Sequence, residues 1–535
     1  MRSPSRAHLR LHRNVTWWGA IGSVGGLAVA IAALISCFTP FVPLVHDEFA
    51  YLLAADTLLQ GRLANPTPEI WQPFQSFHIL LEPTYAAKYP LATGIATALG
   101  QLLCGMPVAG SWLSAGLCAV SLTWMLGGIV SRRWAVAGGL IVALHPAMQV
   151  IWSQSLIYGW ITAAGCGLLT GAVFRLRRRF QFSVALAGGC GVALLALSRP
   201  YEGLVTTCMS AGMLWFLWTP RAFSQRLIRS VFVAVSAAPP IAAALVLIGM
   251  HNLAVTGSIA TLPYQLHEAQ YGVAPLFIFQ SVQIPEMAQG GDLPAVVDAY
   301  HREWSLNSYT SRLGILGWLR GWGAYAKIIM LFWGWLAALS LLMIPWWGRF
   351  RVGRCLAFCM AGHLLASSFV CWDFPHYIAA IMPWLLCWAV LALRRVASWG
   401  RHSGLFGAAH VVIAWLAIQF ILLVMLTGQV RHSTSRLWGL ERQKIMSSLE
   451  RQGGKHLVLV HYADDHHGQY EWVYNLADLD SQSVLWARGE RDDWNRRMEM
   501  KYGSERTQWE LYADERPPRL QLLSAIAEEK EELAH

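Results

Sequence analysis

Charge is scarce in this chain: only 13% of its 535 residues are Asp, Glu, Lys or Arg, against 55% apolar ones. That balance excludes a soluble globular protein. Stretches such as Ile21 to Cys37, Trp112 to Ile129, Val231 to Met250, Ile328 to Trp346 and Val411 to Leu426 can cross a hydrocarbon core of roughly 30 Å, where backbone groups must be satisfied within helices. The sequence predicts a polytopic membrane protein.

Other absences narrow the reading. Residues 1–13 hold Arg2, Arg6, Arg10 and Arg13 but no acid, and no small-residue cleavage site precedes Asp47, so the first apolar run reads as an uncleaved helix behind a cytoplasmic N-terminus, 1–15. No glycine-rich nucleotide loop is apparent, and glycines within the spans read as close helix packing. All ten cysteines (Cys37, Cys104, Cys118, Cys166, Cys190, Cys208, Cys355, Cys359, Cys371 and Cys387) lie in or beside apolar spans, which excludes a disulfide framework or cysteine-zinc site in the tail. The net charge of +10 belongs to topology, with no nucleic-acid partner.

What charge there is has a pattern. Arginines cluster at Arg132-Arg133, at Arg175 with Arg177 to Arg179, at Arg221, Arg226 and Arg229, at Arg349, Arg351 and Arg354, and at Arg394-Arg395 with Arg401. Alternate loops are nearly free of them. The positive-inside rule then puts 46–109, 145–157, 199–202, 251–323 and 372–376 on the outer face, with about eleven transmembrane helices between 16 and 427 and residues 428–535 outside. Leu91 to Leu103, about thirteen apolar residues, is too short for a comfortable span and reads as an interfacial helix. The expected fold is thus all-α and membrane-embedded, with a small C-terminal α/β extracytoplasmic domain. The expected location is a bacterial inner membrane.

Carboxylates and a lysine just outside a bilayer are functional candidates. His46 to Gln60 reads as a helix with Phe49, Leu52, Leu53 and Leu59 on one face and Gly61 to end it. Asp47 and Glu48 occupy its first turn, where free N–H groups and the helix dipole favour ionised acids. Asn65-Pro66-Thr67-Pro68 reads as a loop, followed by the aromatic stretch Trp71, Phe74, Phe77 and His78. Lys88, the only lysine before Lys327, sits in Tyr85-Ala86-Ala87-Lys88-Tyr89-Pro90. A compact ammonium there suits a phosphate, although a lysine snorkelling to the interface is the plainer alternative.

Further outer-face ends carry similar groups. Ser198-Arg199-Pro200-Tyr201-Glu202 and Cys371-Trp372-Asp373-Phe374-Pro375-His376-Tyr377 offer Arg199 and His376 as anion contacts, with Glu202 and Asp373 to orient them. Local ion pairs such as Arg199 with Glu202 are the alternative. In the long outer loop, His251, Asn252, Tyr264 and His267 supply hydrogen-bonding groups at no standard zinc spacing. In the tail, His456 to Val460 and Ser483 to Ala487 read as strands, and Tyr470 to Leu476 as a helix or irregular segment, giving a domain of roughly eighty residues. Asp464-Asp465-His466-His467 reads as a solvated loop rather than a metal site.

Together, an uncleaved first helix, an acidic pair opening a large outer loop, and a Lys-x-Pro element before a short helix resemble the GT-C glycosyltransferases. The relatives nearest in pattern are the protein O-mannosyltransferases and lipid A aminoarabinose transferases. The resemblance covers roughly 15–427, and its specific part is Asp47-Glu48 and Lys88-Tyr89-Pro90. It implies Asp47 as the catalytic carboxylate, acting as base in an inverting displacement, Glu48 as its acidic neighbour and Lys88 on the donor's lipid phosphate. Tyr85, Tyr89, Arg199, Tyr201, Glu202, Asp373, His376, Tyr377, His251 and Tyr264 are the further expected substrate contacts. The stretch His145 to Ser155, where some members carry a second acid, has none here.

The implied donor is a polyprenyl-phosphate sugar, and the acceptor a lipid, glycan or protein. No residue set is assigned to a metal; a divalent ion is compatible with the chemistry but no strong motif calls for one. Two other classes remain open: a lipid or glycan transporter or flippase, which should show mid-span ionisable residues or paired broken helices, and a non-catalytic envelope assembly protein, in which Asp47 and Lys88 would be replaceable.

Overall fold

The structure, a computed structural model, describes residues 6–218, 222–287, 293–341, 349–432 and 437–523. Arg2, Arg221 and the end of the Ile328 to Trp346 stretch lie outside the described residues. The chain divides into two compact units. One comprises Met1–Pro40, Leu99–Ile248 and Arg312–His432; the other comprises Phe41–Ala98, Gly249–Ser311 and Ser433–His535.

The first unit is helical. Among the described residues of the whole chain, five helices are long and apolar enough to cross a membrane: Val15–Phe38, Ala109–Leu126, Phe223–Thr256, Ala379–His402 and Ala408–Arg431. Leu91–Cys104, Trp160–Leu176 and Phe182–Ser198 are apolar but shorter. These five candidates do not confirm the expected count of about eleven. The Phe223–Thr256 and Ala408–Arg431 helices leave most of their apolar surface uncovered, with Leu245, Val246, Phe420 and Ile421 exposed. Surface of that kind belongs against lipid. Elsewhere small residues let backbones meet: a Cβ on Gly165 would lie 2.8 Å from the Gly191 carbonyl oxygen, and one on Gly191 2.6 Å from that of Gly165. Close helix packing is the reading the glycines invited. All ten cysteines are free thiols.

The second unit draws on three separated stretches. His46–Leu59 is a helix whose first turn holds Asp47 and Glu48, and Gly61, at φ +73°, takes the left-handed conformation that ends it. Three short strands follow, β1 (Asn65–Pro66), β2 (Ile79–Leu80) and β3 (Thr84–Ala87), paired antiparallel in the order β1-β3-β2. The expected loop at Asn65-Pro66 is thus a two-residue edge strand. An edge tolerates the missing N–H of Pro66, which is what the composition reading overlooked.

The tail contributes β4 (His456–His461), β5 (Val484–Arg488), β6 (Thr507–Tyr512) and β7 (Arg519–Leu522) in the order β5-β4-β6-β7, with β4 parallel to β5 and β6 and β7 antiparallel to β6. A helix, Asp492–Tyr502, completes the α/β arrangement. Residues alternate across β4: Leu457 and Leu459 pack with Phe49, Leu53, Phe74 and Tyr85 of the first loop, while Val458 and Val460 pack with Trp472, Trp486 and Leu511. First loop and tail consequently share one core, and the Phe49 and Tyr474 rings stack 4.4 Å apart within it. Tyr470 to Leu476 is irregular, fixed by the fully buried Glu471 and its pairing with Arg488.

Candidate active site

Helix initiation places the acidic pair in two different environments. Glu48 is the third residue of its helix and turns back, its carboxylate accepting hydrogen bonds from the Leu44 N–H at 2.7 Å and the Val45 N–H at 3.4 Å. It is 2% exposed and committed to the helix start. Asp47 points elsewhere. Its Oδ1 accepts a hydrogen bond from the Tyr89 hydroxyl, and its Oδ2 lies 3.2 Å from His46 Nδ1 and 3.8 Å from His78 Nε2.

His78 is held in this position at a backbone cost. Its φ of +63° is the only positive value at a non-glycine position among the described residues, a conformation that costs a side chain on the order of 1 kcal/mol. The Lys88 N–H donates to the His78 carbonyl at 3.1 Å, continuing the β2–β3 pairing, Ile79 with Ala87, by one step. That step makes Lys88 and Tyr89 neighbours of His78. One dipeptide therefore supplies the donor on Asp47 and the cation that acts on His78.

Lys88 is not solitary. Its Nζ lies 3.2 Å from Glu268 Oε1, 3.5 Å from His267 Nδ1 and 4.8 Å from the centre of the Tyr264 ring. All three sit on the helix Pro263–Tyr271. Further rings close the cluster: His78 and His267 centroids are 6.1 Å apart, His267 and His301 6.0 Å, and His46 and Tyr300 5.3 Å.

Protonation follows from burial and the single cation. Burial, then the Lys88 charge, drives His78 well below the ordinary histidine range. The same two causes hold His267 at about 4, and burial with the neighbouring His267 holds His301 at about 3. Burial would push the Glu268 carboxyl up, but Lys88, with His267 next, brings it down to about 2. Burial likewise opposes ionisation of Asp47; His78, then the contacts from His46 and Tyr89, outweigh it and leave the acid well below its usual range. The state these forces select is an ionised Asp47 in a cluster where His78, His267 and His301 are held neutral.

The other predicted residues separate into the two units. Tyr85 is spent on structure: it is buried in the shared core and its hydroxyl donates to the Asn475 carbonyl at 2.9 Å. Tyr264 sits over Lys88, as described, and His251 is buried near the end of the Phe223–Thr256 helix. Arg199, Tyr201, Glu202, Asp373, His376 and Tyr377 all belong to the helical unit. There Arg199 stacks its guanidinium 4.3 Å from the Tyr377 ring centre, and Tyr201 donates to the Ala366 carbonyl at 2.8 Å. Glu202 is buried, the His376 ring stacks on Phe374, and Asp373 binds Arg312 at 2.8 Å. In the tail, His466 bonds Asp514 at 2.7 Å rather than its acidic neighbours Asp464 and Asp465, which stay exposed.

Sequence reasoning missed Glu268 and the grouping of His46, Asp47 and His78. One ligand atom from each of these three lies within 4.8 Å of the others, a set able to hold a metal ion. Among the described residues neither ring nitrogen of His46, nor Nδ1 of His78, has a well-directed hydrogen bond, although both rings are buried. Two imidazoles gathered around one carboxylate fit a divalent transition metal. The sequence pattern assigned none of the three to a metal. The signal was weak, because His78 lies 32 residues beyond His46 at no recognised spacing.

No family model matches this chain, and no curated protein matches it. Several solved structures are similar to it. One is the Archaeoglobus fulgidus oligosaccharyltransferase complexed with Zn and sulfate: 12% identity, TM-score 0.47, covering 82% of this chain and 60% of that one. Another is AglB of the same organism with an inhibitory peptide and a dolichol-phosphate: 12% identity, TM-score 0.49, covering 92% and 69%. A third is ArnT from Cupriavidus metallidurans bound to undecaprenyl phosphate: 14% identity, TM-score 0.42, covering 90% and 89%. The chain spans less than two thirds of the first of these.

Proposed function

We propose that the protein is a membrane glycosyltransferase that moves a sugar from a polyprenyl-phosphate donor to a lipid, glycan or protein acceptor. The observation that carries this reading is the linkage of Asp47 to Lys88 through one dipeptide, with Tyr89 on the carboxylate and the ammonium one residue earlier. The first-loop resemblance supplies the donor class, and the exposed apolar helices supply the bilayer from which such a donor is drawn.

The reaction divides between the two charges. The acceptor's hydroxyl or amine attacks the anomeric carbon while the carbon–oxygen bond to the lipid phosphate breaks and its electron pair stays on the phosphate. Asp47, ionised and oriented by Tyr89, takes the acceptor proton. Lys88 stabilises charge on the departing phosphate, for which it exchanges Glu268. A single in-line displacement inverts the anomeric configuration. Glu48 acts by holding the helix start that aims Asp47. A divalent ion, if bound, would be held by His46, Asp47 and His78 and would supply Lewis-acid stabilisation of developing negative charge.

The reacting face is the outer side of a bacterial inner membrane. Release of free polyprenyl phosphate from a panel of polyprenyl-phosphate sugars tests the reading. Cleavage by the purified protein with an acceptor extract supports it and identifies the sugar. Donor binding without cleavage across the panel would favour a transporter or assembly role instead.

A further inference from the structure

The helical unit contains a cavity of about 670 Å³, within the ordinary range for small-molecule sites. Among the described residues, six arginines line it (Arg177, Arg349, Arg351, Arg394, Arg395 and Arg401), and no Asp or Glu does. They come from three places: the end of the helix Trp160–Leu176, the start of the helix Arg351–Ser367, and the last turns of Met382–His402. Membrane topology asks only that cations lie on one side. It does not ask that six of them, from three elements, face one volume and repel one another there.

Two features specify the charge and shape of what fits. Arg351 opens a 17-residue helix with no acid in its first turn and no side-chain cap, so free N–H groups and the positive end of the helix dipole add to the guanidiniums. Along Met382–His402 the lining residues fall at helical spacing on one stripe: Trp388 and Leu391, then Arg394 and Arg395, then Ser398 and Arg401. The cavity wall is thus apolar at one end and cationic at the other, on a helix apolar enough to span a membrane.

We propose that this cavity is a binding site for the phosphate headgroup of an anionic phospholipid, with the start of the acyl region against Trp388 and Leu391. Guanidiniums match phosphate oxygens bidentately, and the apolar end distinguishes a lipid from a free phosphate. The site is separate from Asp47 and Lys88, and binding there is read without any turnover.

Native mass spectrometry of the full-length protein in detergent, titrated with cardiolipin, phosphatidylglycerol or phosphatidylcholine, tests this. Retention of the two anionic lipids over phosphatidylcholine is expected. R394Q/R401Q should weaken anionic-lipid binding by about tenfold or more, R394K/R401K much less, and R178Q/R179Q, equal in charge removed but outside the cavity lining, by no more than about twofold. Inorganic pyrophosphate at millimolar concentration should compete with the lipid. Equal losses in R394Q/R401Q and R178Q/R179Q would reduce the effect to a diffuse surface charge and overturn the site. Retention of pyrophosphate without any phospholipid would overturn the lipid assignment in favour of a soluble phosphate. Wild-type protein that retains neither would overturn both.

Discussion

The ammonium of Lys88 lies 3.2 Å from Glu268, a carboxylate 180 residues further along the chain. The lysine is 6% exposed and the glutamate 26%, so the pair is largely shielded from water. A phosphate approaching Lys88 competes with a carboxylate already in place. Glu268→Gln should therefore raise affinity for a polyprenyl phosphate by about fivefold, the equivalent of about 1 kcal/mol, while Lys88→Ala lowers it. Equilibrium binding of the unglycosylated lipid to each variant measures both effects.

Acid should destabilise the buried histidines before it affects the carboxylates. His267 and His301, held near 4 and 3, bind fewer protons folded than unfolded wherever the pH lies below about 6.5 and above those values. Stability present above pH about 6.5 is thus lost progressively toward pH 4, by up to about 1.4 kcal/mol per pH unit for each histidine. Glu268, held at about 2, has the same sign in a lower window: it too binds fewer protons folded than unfolded, and the stability it contributes above its ordinary value of 4.5 is lost as the pH falls from there toward 2. Thermal unfolding across this range should show a falling Tm below pH 6.5, with a smaller fall in His267→Gln.

Metal content separates two uses of the Asp47 cluster. Protein purified without chelator should carry about one divalent ion per chain by elemental analysis, lost in His78→Ala and in Asp47→Asn. A metal-free protein that still transfers sugar would assign Asp47 as base alone.

How much of this was legible depended on whether the signal was local. Helix His46–Leu59, its stop at Gly61, the helix from Leu91 and the strands at β4 and β5 follow from apolar spacing and a glycine, and all were readable. Strands β6 and β7 were not, because Thr507–Tyr512 and Arg519–Leu522 mix charge into partly exposed positions and lack clean alternation. Asp47 and Lys88 stood out as rare charges beside apolar spans. Glu268 did not, since only folding brings it to Lys88, and His78 was concealed as one member of an aromatic run.

The buried pair Arg488–Glu471 offers a stability test away from the chemistry. Both side chains are inaccessible and 2.6 Å apart, and Arg488 also donates to the Gln75 carbonyl of the first loop at 2.8 Å. Glu471→Ala leaves the buried guanidinium with only Glu490, 3.3 Å away, as a charged partner and should cost about 3 kcal/mol, visible as a drop in Tm. Replacing both residues by apolar ones of similar size should cost less.

Single-turnover sugar transfer by wild type, Asp47→Asn and Lys88→Ala, measured beside donor binding, tests the central claim most directly. The account predicts that Asp47→Asn binds donor within a few-fold of wild type but transfers at least about a hundredfold more slowly, a loss in the range of a positioned general base, whereas Lys88→Ala loses donor binding. Transfer by Asp47→Asn at the wild-type rate would contradict it.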